Sequence, residues 1–129
     1  MIAASESPLI AFRQVTKVYG WGAAAVVALA GVDMTVGAEE FVAIMGPSGS
    51  GKSSILRVLT GLTPLSSGSV SLNGEVIDYG NAQSIRNMRE RSAIVFQQYN
   101  LFQNMTTLEN VTVAPVKIRN RNPKEVETE

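Results

Sequence analysis

The chain has no cysteine and no histidine. Without cysteine there is no disulfide, no thiolate metal site and no thiol nucleophile, a usage that fits a reducing compartment. Without histidine, general acid–base chemistry at neutral pH falls to a carboxylate, a lysine or a group from outside the chain. Net charge is missing as well. Eleven basic residues balance eleven acidic ones over 129 positions, so no electrostatic argument favours nucleic acid or an anionic membrane surface. Nucleic acid is therefore not an expected partner. Aspartate is scarce: Asp33 and Asp78 are the only two, and neither follows an apolar run. The longest apolar stretch, GAAAVVALAG at 22–31, is about half of what a membrane span needs. The opening MIAASESPLIAF carries Glu6 and no basic leader, which argues against a secretory signal and for a soluble chain.

What remains is 45% hydrophobic and 17% charged, enough for one domain with a core. LIAFRQVTKVY (9–19) and VVALAGVDMTV (26–36) place apolar residues at alternate positions, the pattern of half-buried strands. FVAIM (41–45) is a continuous apolar run and reads as a central strand buried on both faces; SAIVF (92–96) is a second such strand. After Lys52, the positions Ile55, Val58, Leu59 and Leu62 follow the period of an amphipathic helix, which Gly61 and Pro64 stop. SVSLNGEVI (69–77) is two short runs around Asn73-Gly74, a favoured hairpin turn. Thr106 with Glu109 forms a capping box, and Pro115 limits the helix after it. Asn122, Pro123 and Glu125 mark another helix start. That start lies within two turns of Glu129, the expectation for a truncated sequence.

The most specific signal is Gly46-Pro47-Ser48-Gly49-Ser50-Gly51-Lys52-Ser53, which fits G-x-x-x-x-G-K-[ST]. A loop around a phosphate must aim several backbone N–H groups inward, and glycine removes the side chains that would obstruct it while permitting positive φ. The helix after the loop offers unpaired N–H groups and a partial positive charge to an anion. In this motif Lys52 can reach the β- and γ-phosphates, and the Ser53 hydroxyl can ligate Mg²⁺. A glycine-rich turn can match by accident, but here an apolar strand precedes the match and an amphipathic helix comes after it, as the motif demands. IRNMRERS (85–92) brings Arg86, Arg89 and Arg91 together; at zero net charge this reads as a solvated helix face rather than a phosphate or nucleic-acid patch.

A second stretch narrows the class. In IVFQQYNLFQNMTTLENV (94–111), Gln97 leaves a strand end, where ligands gather in open α/β sheets; alone, it is equally an ordinary polar loop residue. Together with TKVYG, FVAIMGPSGSGKSSILRVLTGL and SGSV…NG, it makes nearly all of residues 9–129 resemble the N-terminal half of an ABC transporter ATP-binding subunit. The resemblance implies an α/β, RecA-like P-loop NTPase core with an N-terminal antiparallel β subdomain, truncated before the helical subdomain is complete. It divides the chain into a β subdomain and central strand (9–45), the phosphate loop and helix (46–62), a strand with the glutamine loop (92–111) and the start of the helical subdomain (112–129).

It further implies ATP and Mg²⁺ as ligands. Gly46, Pro47, Ser48, Gly49, Ser50, Gly51, Lys52, Ser53 and Ser54 would bind the phosphates. Gln97 would touch Mg²⁺ and the attacking water, and Tyr19 would stack on adenine. A π-face accepts any flat base, although a strand-end aromatic packed on the sheet accounts equally for Tyr19. Two positions depart from the family: Glu39 stands where glycine is usual, so the turn there is expected to differ slightly, and Ser54 replaces threonine while keeping the hydroxyl.

No LSGGQ-like signature, apolar strand ending in Asp-Glu, or histidine switch is found, and with them the base is missing. The chain alone is therefore expected to grip ATP without turning it over. The implied partners are transmembrane permease subunits and a second ATP-binding subunit, and the implied location is the cytoplasmic face of a membrane. VFQQYNLFQNMTTLENVTVAPVK is similar to polar amino-acid importers, whereas the N-terminal segments are as similar to lipoprotein-release or macrolide-efflux cassettes; amino-acid import is the slightly favoured expectation. A P-loop nucleotide-binding protein without transport, such as a small kinase or a soluble ABC protein, is the alternative.

Overall fold

The computed structural model of the chain describes residues 7–128; the reading of the N-terminus as lacking a secretory leader, with Glu6, falls mainly on residues outside them. Two compact units divide between Ile94 and Val95. In the first, β1 (Ile10–Tyr19) and β2 (Val26–Val36) form an antiparallel pair, followed by α1 (Lys52–Leu59), β3 (Ser67–Leu72), β4 (Glu75–Val76) and α2 (Ala82–Glu90). The four strands make one antiparallel sheet in the order β2-β1-β3-β4.

β1 is central because it pairs on both sides, Ile10 with Val36 of β2 and with Leu72 of β3. Its alternation is not uniform. Gln14 takes φ 48 at a register shift against both neighbours, and the buried positions step from Phe12 to Val15 and Lys17. An extra residue in a strand flips the phase of the residues after it. The bulge is held by Asp33, whose carboxylate accepts from the Gln14 backbone N–H at 2.9 Å and from its side-chain amide. Gly68 of β3 passes so near that a Cβ there would lie 2.3 Å from the Gln14 carbonyl oxygen, so only glycine fits.

The expected hairpin at Asn73-Gly74 forms, with φ 51 and 78, both positive as a type I′ turn requires. α1 ends at Leu59 with Thr60 as its C-cap. Gly61, at φ 65, turns the chain so that its N–H reaches the Val58 carbonyl at 3.0 Å and that of Leu62 reaches Arg57 at 2.9 Å, the usual way a helix end satisfies its last carbonyls. Leu62 therefore lies beyond the helix. α2 is capped by the Asn81 side chain, which accepts from Gln83 and Ser84. Arg89 donates to the Gly61 carbonyl at 2.8 Å and Arg91 pairs with Glu75 at 3.1 Å, so two of the three clustered arginines are tied to this unit. Phe12, Val15, Leu29, Val58, Val70, Leu72, Ile77 and Met88 form the core, with sheet on one side and α1 and α2 on the other. Tyr79 donates to the Val58 carbonyl at 2.8 Å, and burial pushes its phenol up to about 12.

Two expected strands are absent from the sheet. FVAIM (41–45) and SAIVF (92–96) form no ladder, and Phe41 is 96% exposed. A strand buried on both faces needs hydrogen-bonded neighbours and covering helices, and the described residues supply neither to these runs. Glu39, by contrast, adopts φ 59, the left-handed backbone that glycine takes freely.

In the second unit, α3 (Thr107–Lys117) has the expected capping box. The Glu109 carboxylate accepts from the Thr106 N–H at 2.7 Å and the Thr106 hydroxyl from the Glu109 N–H at 3.2 Å; the first of these holds the Glu109 carboxyl below its ordinary range. Pro115 does not stop the helix: α3 continues to Lys117, losing only the bond that an N–H at 115 would have made. α4 (Pro123–Val126) starts at Asn122, as its cap predicts.

Because Phe12 is buried in the core, Phe12→Ala should cost about 3–5 kcal/mol in denaturant unfolding. Phe41→Ala, at a position the sequence alone marks as core, should change stability by less than about 0.5 kcal/mol. Equal losses for the two variants would contradict this fold.

Candidate functional site

The loop 46–51 runs directly into α1, and its glycines have separable reasons. Gly51 is the N-cap, at φ 93 and ψ 0, with no side chain to bond the first turn. The first N–H groups of a helix have no partner inside it, so those of α1 remain available at this end. A Cβ on Gly51 would meet the Ala28 carbonyl oxygen at 2.5 Å: the helix start is pressed against β2. Gly49, at φ 79, has open space around it, so its constraint is backbone conformation alone.

Lys52 lies over the loop. Its Nζ donates to the Gly46 carbonyl at 2.7 Å and the Pro47 carbonyl at 2.8 Å, and approaches Ser50 Oγ at 3.4 Å. The loop is braced internally by the Ser50 N–H on the Pro47 carbonyl at 3.2 Å. Beside it lies a cavity of about 500 Å³, lined by Val26, Val27, Ala28 and residues 48–54. The polar residues of its lining are Ser48, Ser50, Lys52, Ser53 and Ser54, with no acidic residue among them. This donor set suits an anion with several oxygens. Ser53 is exposed and Ser54 half-buried.

Tyr19 ends β1, opposite Val26, and its hydroxyl donates to Ser54 Oγ at 3.5 Å. The Ser54 hydroxyl can in turn donate to the phenolate, and this is the main reason the Tyr19 phenol lies below the ordinary value near 10, against a smaller opposing effect of burial. The hairpin thus brings Tyr19 beside the first turn of α1. Sequence reasoning misses Val26, Val27 and Ala28; their signal is the strand pairing, which sets Val26 across from Tyr19. It misses Lys17 too, because that residue looks like a solvent-facing position of an alternating strand. Gln97 belongs to the second unit, exposed in the turn 97–100, with Tyr99 and Asn100 at φ 56 and 51.

A family model described as "ABC transporter" matches residues 29–129. The chain belongs to the ABC transporter family. Among curated relatives, it is 39% identical over 92% of its length to the probable ABC transporter ATP-binding protein PEB1C of Campylobacter jejuni, spanning 47% of that protein. It is 41% identical over 87% of its length to the macrolide export ATP-binding/permease protein MacB of Marinobacter nauticus, spanning 18% of it. It is 35% identical over 92% of its length to the glutamine transport ATP-binding protein GlnQ of Escherichia coli, spanning 48% of it. Among solved structures, the ATP-binding cassette MJ0796, described as a dimeric post-hydrolysis state bound to ADP and Pi, superposes with a TM-score of 0.77 at 34% identity. That match covers 92% of this chain and 53% of the other. The chain therefore spans about half the length, or less, of the relatives it matches, and its fold is part of the P-loop ABC cassette with the N-terminal antiparallel sheet.

The two glycines separate by experiment. Gly51→Ala, which combines left-handed strain with a backbone collision, should lower stability by about 2 kcal/mol or more; Gly49→Ala should lose about 1 kcal/mol from strain alone. Denaturant titration showing the reverse order would contradict the docking of α1 on β2.

Proposed function

We propose that residues 46–54 hold the triphosphate of ATP. The observation that carries this reading is the Lys52 ammonium, tethered by two loop carbonyls at 2.7 and 2.8 Å, beside a helix start that has no side-chain cap. An anion entering there meets a positive charge and the unpaired N–H groups of a helix start. Glycines 46, 49 and 51 keep side chains out of the loop, while Ser48, Ser50 and Ser54 offer hydroxyl donors. Tyr19 serves as the platform for adenine.

The Ser53 hydroxyl is an oxygen donor suited to Mg²⁺, and for Gln97 the role of Mg²⁺ ligand rests on the family resemblance alone. When bound, the metal neutralises charge on the phosphates. In the intact subunit the reaction is ATP hydrolysis, with Gln97 orienting the attacking water. The chain itself contains no histidine and no Asp-Glu strand end, so the 129-residue polypeptide binds without turnover.

The intact protein is the ATP-hydrolysing subunit of a transporter. It pairs with a second ATP-binding subunit and docks on permease subunits at the cytoplasmic face of the membrane. Among the described residues no helix is long and apolar enough to cross a membrane, which is consistent with a separate membrane partner. For the cargo we favour a polar amino acid, on the likeness to GlnQ over most of the chain. A second reading, export of a macrolide or lipoprotein, has in its favour the higher identity with MacB. Co-purification with a permease identifies which applies, whereas a soluble complex without a membrane protein would support a P-loop protein outside transport.

Calorimetry of the chain with MgATP should give saturable binding, weakened at least about tenfold by Lys52→Ala, which is about 1.4 kcal/mol. Phosphate release should stay at background. No binding heat at millimolar ATP on folded protein would defeat the triphosphate reading, and steady release abolished by Lys52→Ala would defeat the claim of no turnover.

A further inference from the structure

Lys17 is an unusual residue for its place. It lies in the central strand, yet is only 9% exposed, and lysine is almost never buried without a partner. Its Nζ donates to the Pro64 carbonyl at 2.7 Å and stands 4.9 Å from the centroid of the Tyr19 ring, within the range of a cation–π contact. The bulge at Gln14 turns this side chain inward, on the same phase as Val15. Tyr19 is thus held twice, with its hydroxyl on Ser54 Oγ at 3.5 Å and its ring against a cation.

We propose that Lys17 is a positioning residue for the nucleobase: it covers one face of Tyr19 and leaves the opposite face as the only one on which a purine can stack. This rests on the reading of Tyr19 as the base platform. The consequence is electronic as well as steric. A cation against one face draws π-density toward itself, so the free face becomes a better partner for an electron-rich purine. The tether to Pro64 keeps the ammonium there while the ring is loaded. Base and phosphates are then gripped by one continuous set of contacts, Pro64–Lys17–Tyr19–Ser54, running into the first turn of α1.

A structural staple between β1 and the turn after α1 would make the same Pro64 bond, so the test must separate base from phosphate recognition. Calorimetry on the chain compares MgATP with magnesium tripolyphosphate, which carries no base. Lys17→Met keeps the stem and removes the charge. It should weaken ATP about three- to tenfold while leaving tripolyphosphate within about twofold. Lys17→Arg, which restores a cation able to stack on the ring, should recover ATP affinity to within about threefold of the parent. If Lys17→Met does not fold, Lys17→Gln, which keeps a donor for Pro64, is judged by the same ATP-to-tripolyphosphate ratio. Equal weakening of both ligands, or of neither, overturns the proposal. Tyr19→Ala is the separate control. ATP affinity unchanged in that variant removes the platform and the role of Lys17 with it; ATP affinity lost in Tyr19→Ala but retained in Lys17→Met overturns the role of Lys17 alone.

Discussion

The structure turns on how α1 is seated. Gly51 holds a left-handed backbone against the Ala28 carbonyl, at a distance no Cβ could share, and this contact fixes where the helix begins. One placement has two results. The far end of the helix is carried over the sheet, where Val58 is fully buried among Phe12, Val15 and Val70. The first turn is left pointing its amides and Lys52 at the loop. The hydrophobic core and the candidate anion site therefore share one helix, and the free energy that seats Val58 also fixes where that helix begins beside the loop.

Much of this arrangement is legible in the sequence, for physical reasons that differ from element to element. The loop can be read because each of its residues is constrained separately: glycines by φ, Lys52 by charge, the serines by their hydroxyls. The hairpin at Asn73-Gly74 and the cap at Thr106 are legible because they are local, settled within four residues. FVAIM and SAIVF read as buried strands from composition alone, but composition does not say whether a partner strand is available. Neither run has one among the described residues, and both stay outside the sheet. Pro115 reads as a limit, yet a single lost hydrogen bond does not end a helix that packing and capping otherwise support.

The bulge at Gln14 marks where simple alternation stops being informative. Counting twos along β1 places Lys17 on the solvent side; the extra residue turns it inward, beneath Tyr19. The carboxylate of Asp33, nineteen positions away in the sequence, holds the irregularity, and no local pattern could have paired it with Gln14. Gln97 is the opposite case. Its position after an apolar run is suggestive, but the physics of that turn is ordinary, and its assignment depends on resemblance to the family rather than on its own surroundings.

The most direct test tracks the backbone amides by NMR as MgATP is added to the isotopically labelled chain. We expect the largest, saturable shifts at residues 48–54, where loop and helix amides would meet the phosphates. Amides of that stretch that stay unmoved at millimolar nucleotide while the protein remains folded, or that move less than those of the surrounding sheet, would contradict the central claim.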